Sequence, residues 1–319
     1  MAARYLIGLS IIYWLLNTNL IDLNVLSLIN IQIAIVATLL VFIQFFLAGW
    51  RVKLLLAEHC IPVGIWRCIS YNSVSVFYSL FLPGGMSGDL ARAYCFWKAY
   101  PAASKSALFG ALFIDRLLGT ASMIIMGLVA STFLMATLGL RKFVLAAWLG
   151  FIILSAAYFL VIRLHHKGDK TQSGFAGRML RFIEKIDFQG YSARVISIAG
   201  AFSLTGHLCA VLVIYLFSDL MRSGLDLLQI ITVAPIGLLA NALPLTPGGL
   251  GIGEKGFDLL YRMIGGNQGG NSFLLSRVFL FTPAIFGLIV VCYQFIKSHK
   301  NLIGWKAQEK QEPKSTPDA

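Results

Sequence analysis

Two short stretches place an acid beside a broken helix. LPGGMSGDLARAY starts at Leu82 and TPGGLGIGEKGF at Thr246; each runs Pro-Gly-Gly and then reaches a glycine–acid pair, Gly88-Asp89 or Gly253-Glu254. Each is followed by a helix, a turn and an apolar helix with one arginine, Arg116 in ALFIDRLLGT and Arg277 in LLSRVFLFTP. Arg116 follows Gly85 by 31 residues and Arg277 follows Gly249 by 28, so the two copies share parts and spacing. Proline removes a backbone donor and stops the incoming helix. Gly84 and Gly85 in one copy, and Gly248 and Gly249 in the other, allow a sharp reversal without a Cβ clash. A helix restarting after such a break aims its free N–H groups and the positive end of its dipole into the gap. The chemistry this suits is electrostatic capture of an anion, with phosphate the natural ligand.

Charges inside the apolar runs point the same way. Asp115, Arg116 and Arg277 lie where an unpaired charge costs about 2.5–3.5 kcal/mol on insertion scales. In the functional reading Arg116 and Arg277 hold the phosphate, with Asp89 and Glu254 as switching partners or helix caps. In the plainer reading Arg116–Asp89 and Arg277–Glu254 are static ion pairs that fix the breaks, and the sequence leaves both open. Arg92 and Lys255, on the first turns of the returning helices, are placed to touch a headgroup at a cavity mouth or simply the interface. Asn241 suits an interhelical hydrogen-bond donor, and His207 a satisfied core histidine. Tyr71, Asn72 and Ser73 offer polar lining to the first break. His165 and His166 belong to a basic, solvated loop.

These groups need a membrane bundle to position them. Of 319 residues 58% are hydrophobic and only 13% charged, against about 25% charged in soluble domains. Runs near 4–20, 28–50, 68–82, 106–137, 143–163, 194–217, 227–245 and 272–297 approach the roughly 20 residues a membrane helix needs. The expected fold is all-α: a polytopic bundle with two oppositely oriented re-entrant hairpins in an inverted repeat. Residues 1–297 form the membrane domain, with halves at about 1–137 and 143–297, and 298–319 a disordered cytoplasmic tail. The start, MAARYLIGLSIIYWLLNTNL, lacks a small-residue cleavage site and reads as a retained first helix. A short amphipathic helix at 175–187 suits an anionic interface.

Lysine and arginine cluster after the second, fifth and last runs, which places both termini in the cytoplasm of an inner-membrane protein. Residues 68–100 must then enter and leave through one face, and the break after Thr246 through the other. The net charge of +12 fits loops against anionic lipid better than nucleic acid. Five scattered cysteines, with no C-x-x-C, indicate neither disulfides nor a metal centre. No nucleotide-binding loop occurs, and no cofactor is expected.

At LPGGMSGDLARAY, FIDRLLG and LPLTPGGLGIGEKGF the chain resembles the flippase-like membrane domain of lysylphosphatidylglycerol synthases and related integral membrane proteins. The resemblance spans about 4–297. It implies two re-entrant hairpins and translocation of a charged or glycosylated lipid. The synthases carry a soluble aminoacyl-transfer domain after the membrane part; only a short polar tail follows here, so that activity does not carry over. The family leaves the substrate open between an anionic phospholipid and a polyprenyl-phosphate-linked sugar.

The leading expectation is therefore a flippase or scramblase. The alternative is a membrane enzyme, or an accessory subunit, in lipid-linked glycan assembly or phospholipid headgroup modification. No D-x-D, H-E-x-x-H or nucleophile–histidine arrangement favours the enzyme. A homo-oligomer or a biosynthetic-enzyme partner stays open.

Overall fold

The computed structural model describes residues 23–81, 87–134, 190–241, 246 and 249–294. The expected helix at 4–20, the run at 143–163, the interfacial helix at 175–187, the tail at 298–319, and Gly84, Gly85 and Gly248 lie outside the described residues. A 3-10 turn, Leu23–Leu28, precedes the first long helix. The helices are α1 (Ile31–Glu58), α2 (Ile65–Phe81), α3 (Ser87–Ala99), α4 (Lys105–Leu134), α5 (Ala193–Leu220), α6 (Leu227–Asn241), α7 (Ile252–Met263) and α8 (Gly269–Leu280). After a one-residue break at Phe281, α8 continues as helix to Gln294. The described residues contain no strand.

Local chemistry explains the long helices. Asn30 caps α1 by accepting from the Ile33 N–H at 2.9 Å, and Ser192 caps α5 by accepting from Val195. Among the described residues four helical stretches are long and apolar enough to cross a membrane: Ile31–Glu58, Lys105–Phe133, Ala193–Leu220 and Gly269–Gln294. The protein is thus a multi-pass membrane protein. The other four helices have 17, 13, 15 and 12 residues. At 1.5 Å per residue the longest spans about 26 Å, short of the roughly 30 Å hydrocarbon core.

Among the described residues the order of long and short helices repeats: long α1, short α2 and α3, long α4; then long α5, short α6 and α7, long α8. Within each half the two short helices pack on one another, α2 on α3 and α6 on α7. The halves meet along α1 and α5, the most extensive helix pair, and they exchange contacts in a reciprocal way. Gly127 on α4 lies against Pro235 on α6, and Gly287 on the α8 continuation lies against Ser73 and Phe77 on α2. Each first limb therefore leans on the last long helix of the other half. Small residues at such crossings let backbones approach where lipid offers no hydrophobic drive. One apolar cluster joins Leu55, Phe96 and Leu108 in the first half; a second joins Ile214, Phe257 and Phe273 in the other. Large side chains on the outer face, such as Ile35, Leu39 and Phe46 of α1, remain exposed, as a lipid-facing surface requires.

Candidate functional site

Asp115 organises the first half. It is only 2% exposed, in the apolar interior of α4. Its Oδ1 receives Arg51 Nε at 2.5 Å and its Oδ2 receives Arg92 Nη1 at 2.9 Å. Arg51, from α1, also donates to the Ser203 hydroxyl on α5 at 2.5 Å. Arg92, from α3, donates to Asn72 Oδ1 on α2 at 3.0 Å and to Asp89 Oδ1 at 3.2 Å. One polar network thus ties together α1, α2, α3, α4 and α5. A buried carboxylate is tolerable only with such partners, because desolvating it alone costs several kcal/mol.

Arg116 is the next residue along α4, and successive helical side chains diverge by about 100°. Its guanidinium points away from the Asp115 contacts, is 57% exposed, and reaches Asp89 Oδ2 at a long 3.6 Å. Asp89 is therefore shared between a buried arginine and an open one. Three guanidiniums, from Arg51, Arg92 and Arg116, face two carboxylates, from Asp89 and Asp115. Among the described residues the cluster carries one excess positive charge, and its most accessible cation is the least tightly held. Gly88 lets the start of α3 press on Ser75 and Ser79 of α2, where a Cβ would collide.

The second half builds a closed counterpart. Arg277 Nε on α8 lies 2.7 Å from Glu254 Oε1 on α7. Arg277 Nη2 donates to Asn241 Oδ1 at 2.8 Å, to the Gly249 carbonyl at 3.2 Å and to Glu254 Oε2 at 3.2 Å. The guanidinium is stacked near the rings of Phe273 and Phe281, at 4.8 and 5.4 Å. Glu254 reaches back to accept the Gly251 N–H at 2.8 Å and so caps its own helix. Gly249 and Gly251 have φ of 72° and 80°, a conformation L side chains rarely adopt. Gly253 has no room for a Cβ, which would meet Phe273, Arg277 and Asn241.

The sequence-derived residues thus divide. Asp89 and Arg116 come together, and so do Glu254 and Arg277, as the two acid–arginine pairings anticipate. Arg92 sits deeper than a headgroup contact at a mouth, because α3 lies between α2 and α4. Lys255 is half-exposed and leans toward Asp258 at 3.9 Å, which Arg262 also meets at 3.1 Å. Asn241 acts through its carbonyl oxygen, as an acceptor rather than a donor. His207 is half-buried beside Gly119 and Arg51. Arg51 and Ser203 were missed. Asp115, a carboxylate inside an apolar run, called for a cationic partner, but nothing in the sequence singled out Arg51 as that partner. Among the described residues no group of three or more metal-ligating side chains occurs.

Among the described residues, four helices long enough to cross a membrane, with acid–arginine pairs buried among them, define an integral membrane protein. The chain belongs to the lysylphosphatidylglycerol synthase transmembrane family: the family described as "Lysylphosphatidylglycerol synthase TM region" matches residues 1–295. Neither the curated proteins nor the solved structures yield a match.

Proposed function

We propose that the chain moves an anionic or glycosylated lipid between the leaflets of the cytoplasmic membrane, its headgroup engaging Arg116. The observation that carries this reading is the uneven charge of the first-half cluster. A phosphate arriving at Arg116 replaces Asp89 as its counter-ion, and Asp89 keeps its bond to Arg92. The phosphate then offsets the excess positive charge without leaving a buried charge unpaired, the condition for a low barrier at membrane depth.

In this reading the free N–H groups at the start of α3 face the same headgroup. In this reading the second hairpin opens to the opposite side, with Lys255 at its rim, while Arg277, bonded to Glu254 and the Gly249 carbonyl, holds the start of α7 in place. Opposed hairpins in two repeated halves are a common architecture for alternating access. Both termini lie in the cytoplasm under this reading. The membrane-region family to which the chain belongs supports a lipid substrate.

The test is reconstitution into vesicles carrying a panel of fluorescent lipids: phosphatidylglycerol, a polyprenyl-phosphate-linked sugar and phosphatidylcholine. Faster leaflet exchange of one of the first two, beyond phosphatidylcholine, is the expected result. Exchange rates equal to those of protein-free vesicles for every lipid would refute the proposal.

A further inference from the structure

His207, on α5, sits against the network that leads to Arg116. The space over Gly119 of α4 is shared by two side chains: Arg51 Nη1 and His207 Nε2 stand 3.5 and 3.8 Å from where a Cβ on that glycine would lie. Arg51 also holds Ser203, one helical turn before His207, and Asp115, one turn before Gly119. The guanidinium is therefore enclosed between α4 and α5 with the imidazole beside it. His207 Nε2 is buried and has no hydrogen-bond partner among the described residues, and the same holds for Gln44 Oε1. Gln44 lies two turns before Arg51 on the same face of α1, against Gly206. A buried polar atom without a partner is costly, so an imidazole in that state beside a guanidinium calls for a reason.

The surrounding charges fix what a proton on His207 would do. On α1 its neighbour is Arg51; on α4 it is Asp115, already shared by Arg51 and Arg92, with Arg116 the next residue. The other charges of these helices, Lys53, Glu58 and Lys105, lie toward their ends. Of the other helices packed on α5, α6 carries no charged residue, and Arg277 of α8 is held by Glu254. Arg194 and Asp219, at the ends of α5 itself, are more than three turns away. A proton on His207 thus raises the cluster's excess positive charge from one to two, and no carboxylate among the described residues is left to balance it. A phosphate at Arg116 supplies the missing negative charge. The connection is continuous: His207 lies beside Arg51, Arg51 binds Asp115, Asp115 binds Arg92, and Asp89 joins Arg92 to Arg116. Proton and headgroup favour one another, and linkage makes that preference reciprocal.

We propose that His207 is a proton-binding site linked to the headgroup site, so that a proton and an anionic headgroup cross the membrane together. The inference rests on the translocation reading and adds its source of energy. The neutral imidazole takes a proton from water on the side where the lipid is loaded, and the imidazolium returns it to water on the other. With a singly charged headgroup the pair moves no net charge.

The linkage is read first without transport. The full chain carrying His59→Gln, His165→Gln, His166→Gln and His299→Gln leaves His207 as the one imidazole, and nitrogen-15 NMR follows its titration in vesicles. Replacing about a third of the phosphatidylcholine by phosphatidylglycerol should raise the midpoint by about one pH unit. Adding Arg116→Gln should abolish the rise, although the negative surface potential of the vesicle stays. Equal titration in both vesicles, or an equal rise in the Arg116→Gln chain, overturns the proposal. Transport is read second, with fluorescent phosphatidylglycerol in the outer leaflet and the rate of protein-free vesicles subtracted. Under a gradient of about 1.5 pH units, inward exchange should run about threefold faster with the acid side outside than inside. His207→Gln, or His207→Asn if the first fails to fold, should bring that ratio to one. A ratio of one in the unaltered protein, or an unchanged ratio in the folded variant, overturns the coupling and leaves translocation standing. A raised midpoint with no exchange under any gradient refutes translocation and keeps the proton–headgroup linkage.

Discussion

Arg92 and Asp115 are 23 residues apart in the chain and 2.9 Å apart in space, and with Arg51 they join α1, α3 and α4 through one buried carboxylate. Arg277 and Glu254 form the equivalent join in the second half, with no spare guanidinium beside them among the described residues. The two halves thus repeat in architecture and differ in charge, one cluster open and positive, the other sealed and neutral.

Removing the central carboxylate should unfold the first half. Asp115→Asn leaves Arg51 and Arg92 buried without their shared counter-ion, a loss of about 3–5 kcal/mol. Thermal unfolding in detergent should show a strongly lowered midpoint. Adding Arg51→Gln should recover part of it, because one stranded charge disappears.

The sealed pair should prove a stability element. Gly253→Ala forces a methyl into Phe273, Arg277 and Asn241 and should cost about 1–3 kcal/mol. Arg277→Lys cannot reproduce the forked contacts to Glu254, Asn241 and Gly249, so it should destabilise although the charge is kept. A midpoint unchanged in both variants would mean the second break tolerates slack that its geometry denies.

Orientation is open to chemical labelling. Cys60 is exposed in the short connection between α1 and α2, which the placement of lysine and arginine assigns to the cytoplasm. With the other four cysteines replaced, an impermeant maleimide should modify Cys60 in inside-out vesicles and leave it untouched in spheroplasts. The reverse pattern would invert the proposed topology.

Much of this arrangement was readable from the chain. Proline and glycine punctuate apolar runs so sharply that the α2–α3 and α6–α7 pairs are foreseen from Pro83-Gly84-Gly85 and Pro247-Gly248-Gly249. A charge in an apolar run calls for a partner, which made the pairings of Arg116 with Asp89 and of Arg277 with Glu254 one of the two readings the sequence left open. Arg51 was not readable in this way. It sits just past an apolar run and counts as a loop charge until α1 is seen to continue two turns further, to Glu58. The burial of Arg92 was hidden too, because position on a first turn says nothing of which helices close over it. Ser203 shows no pattern at all; its role exists only because α5 packs against α1.

The central claim is that Arg116 is the guanidinium that meets the lipid. Its exposed pair with Asp89 should contribute about 0–1 kcal/mol to stability, so Arg116→Gln should unfold within a few degrees of the unaltered protein. The deciding measurement compares leaflet exchange of the preferred anionic lipid in vesicles holding equal amounts of folded unaltered protein and of Arg116→Gln. The account predicts at least a tenfold slower exchange in the variant, with partial recovery in Arg116→Lys. An equal rate in a folded Arg116→Gln protein would contradict it.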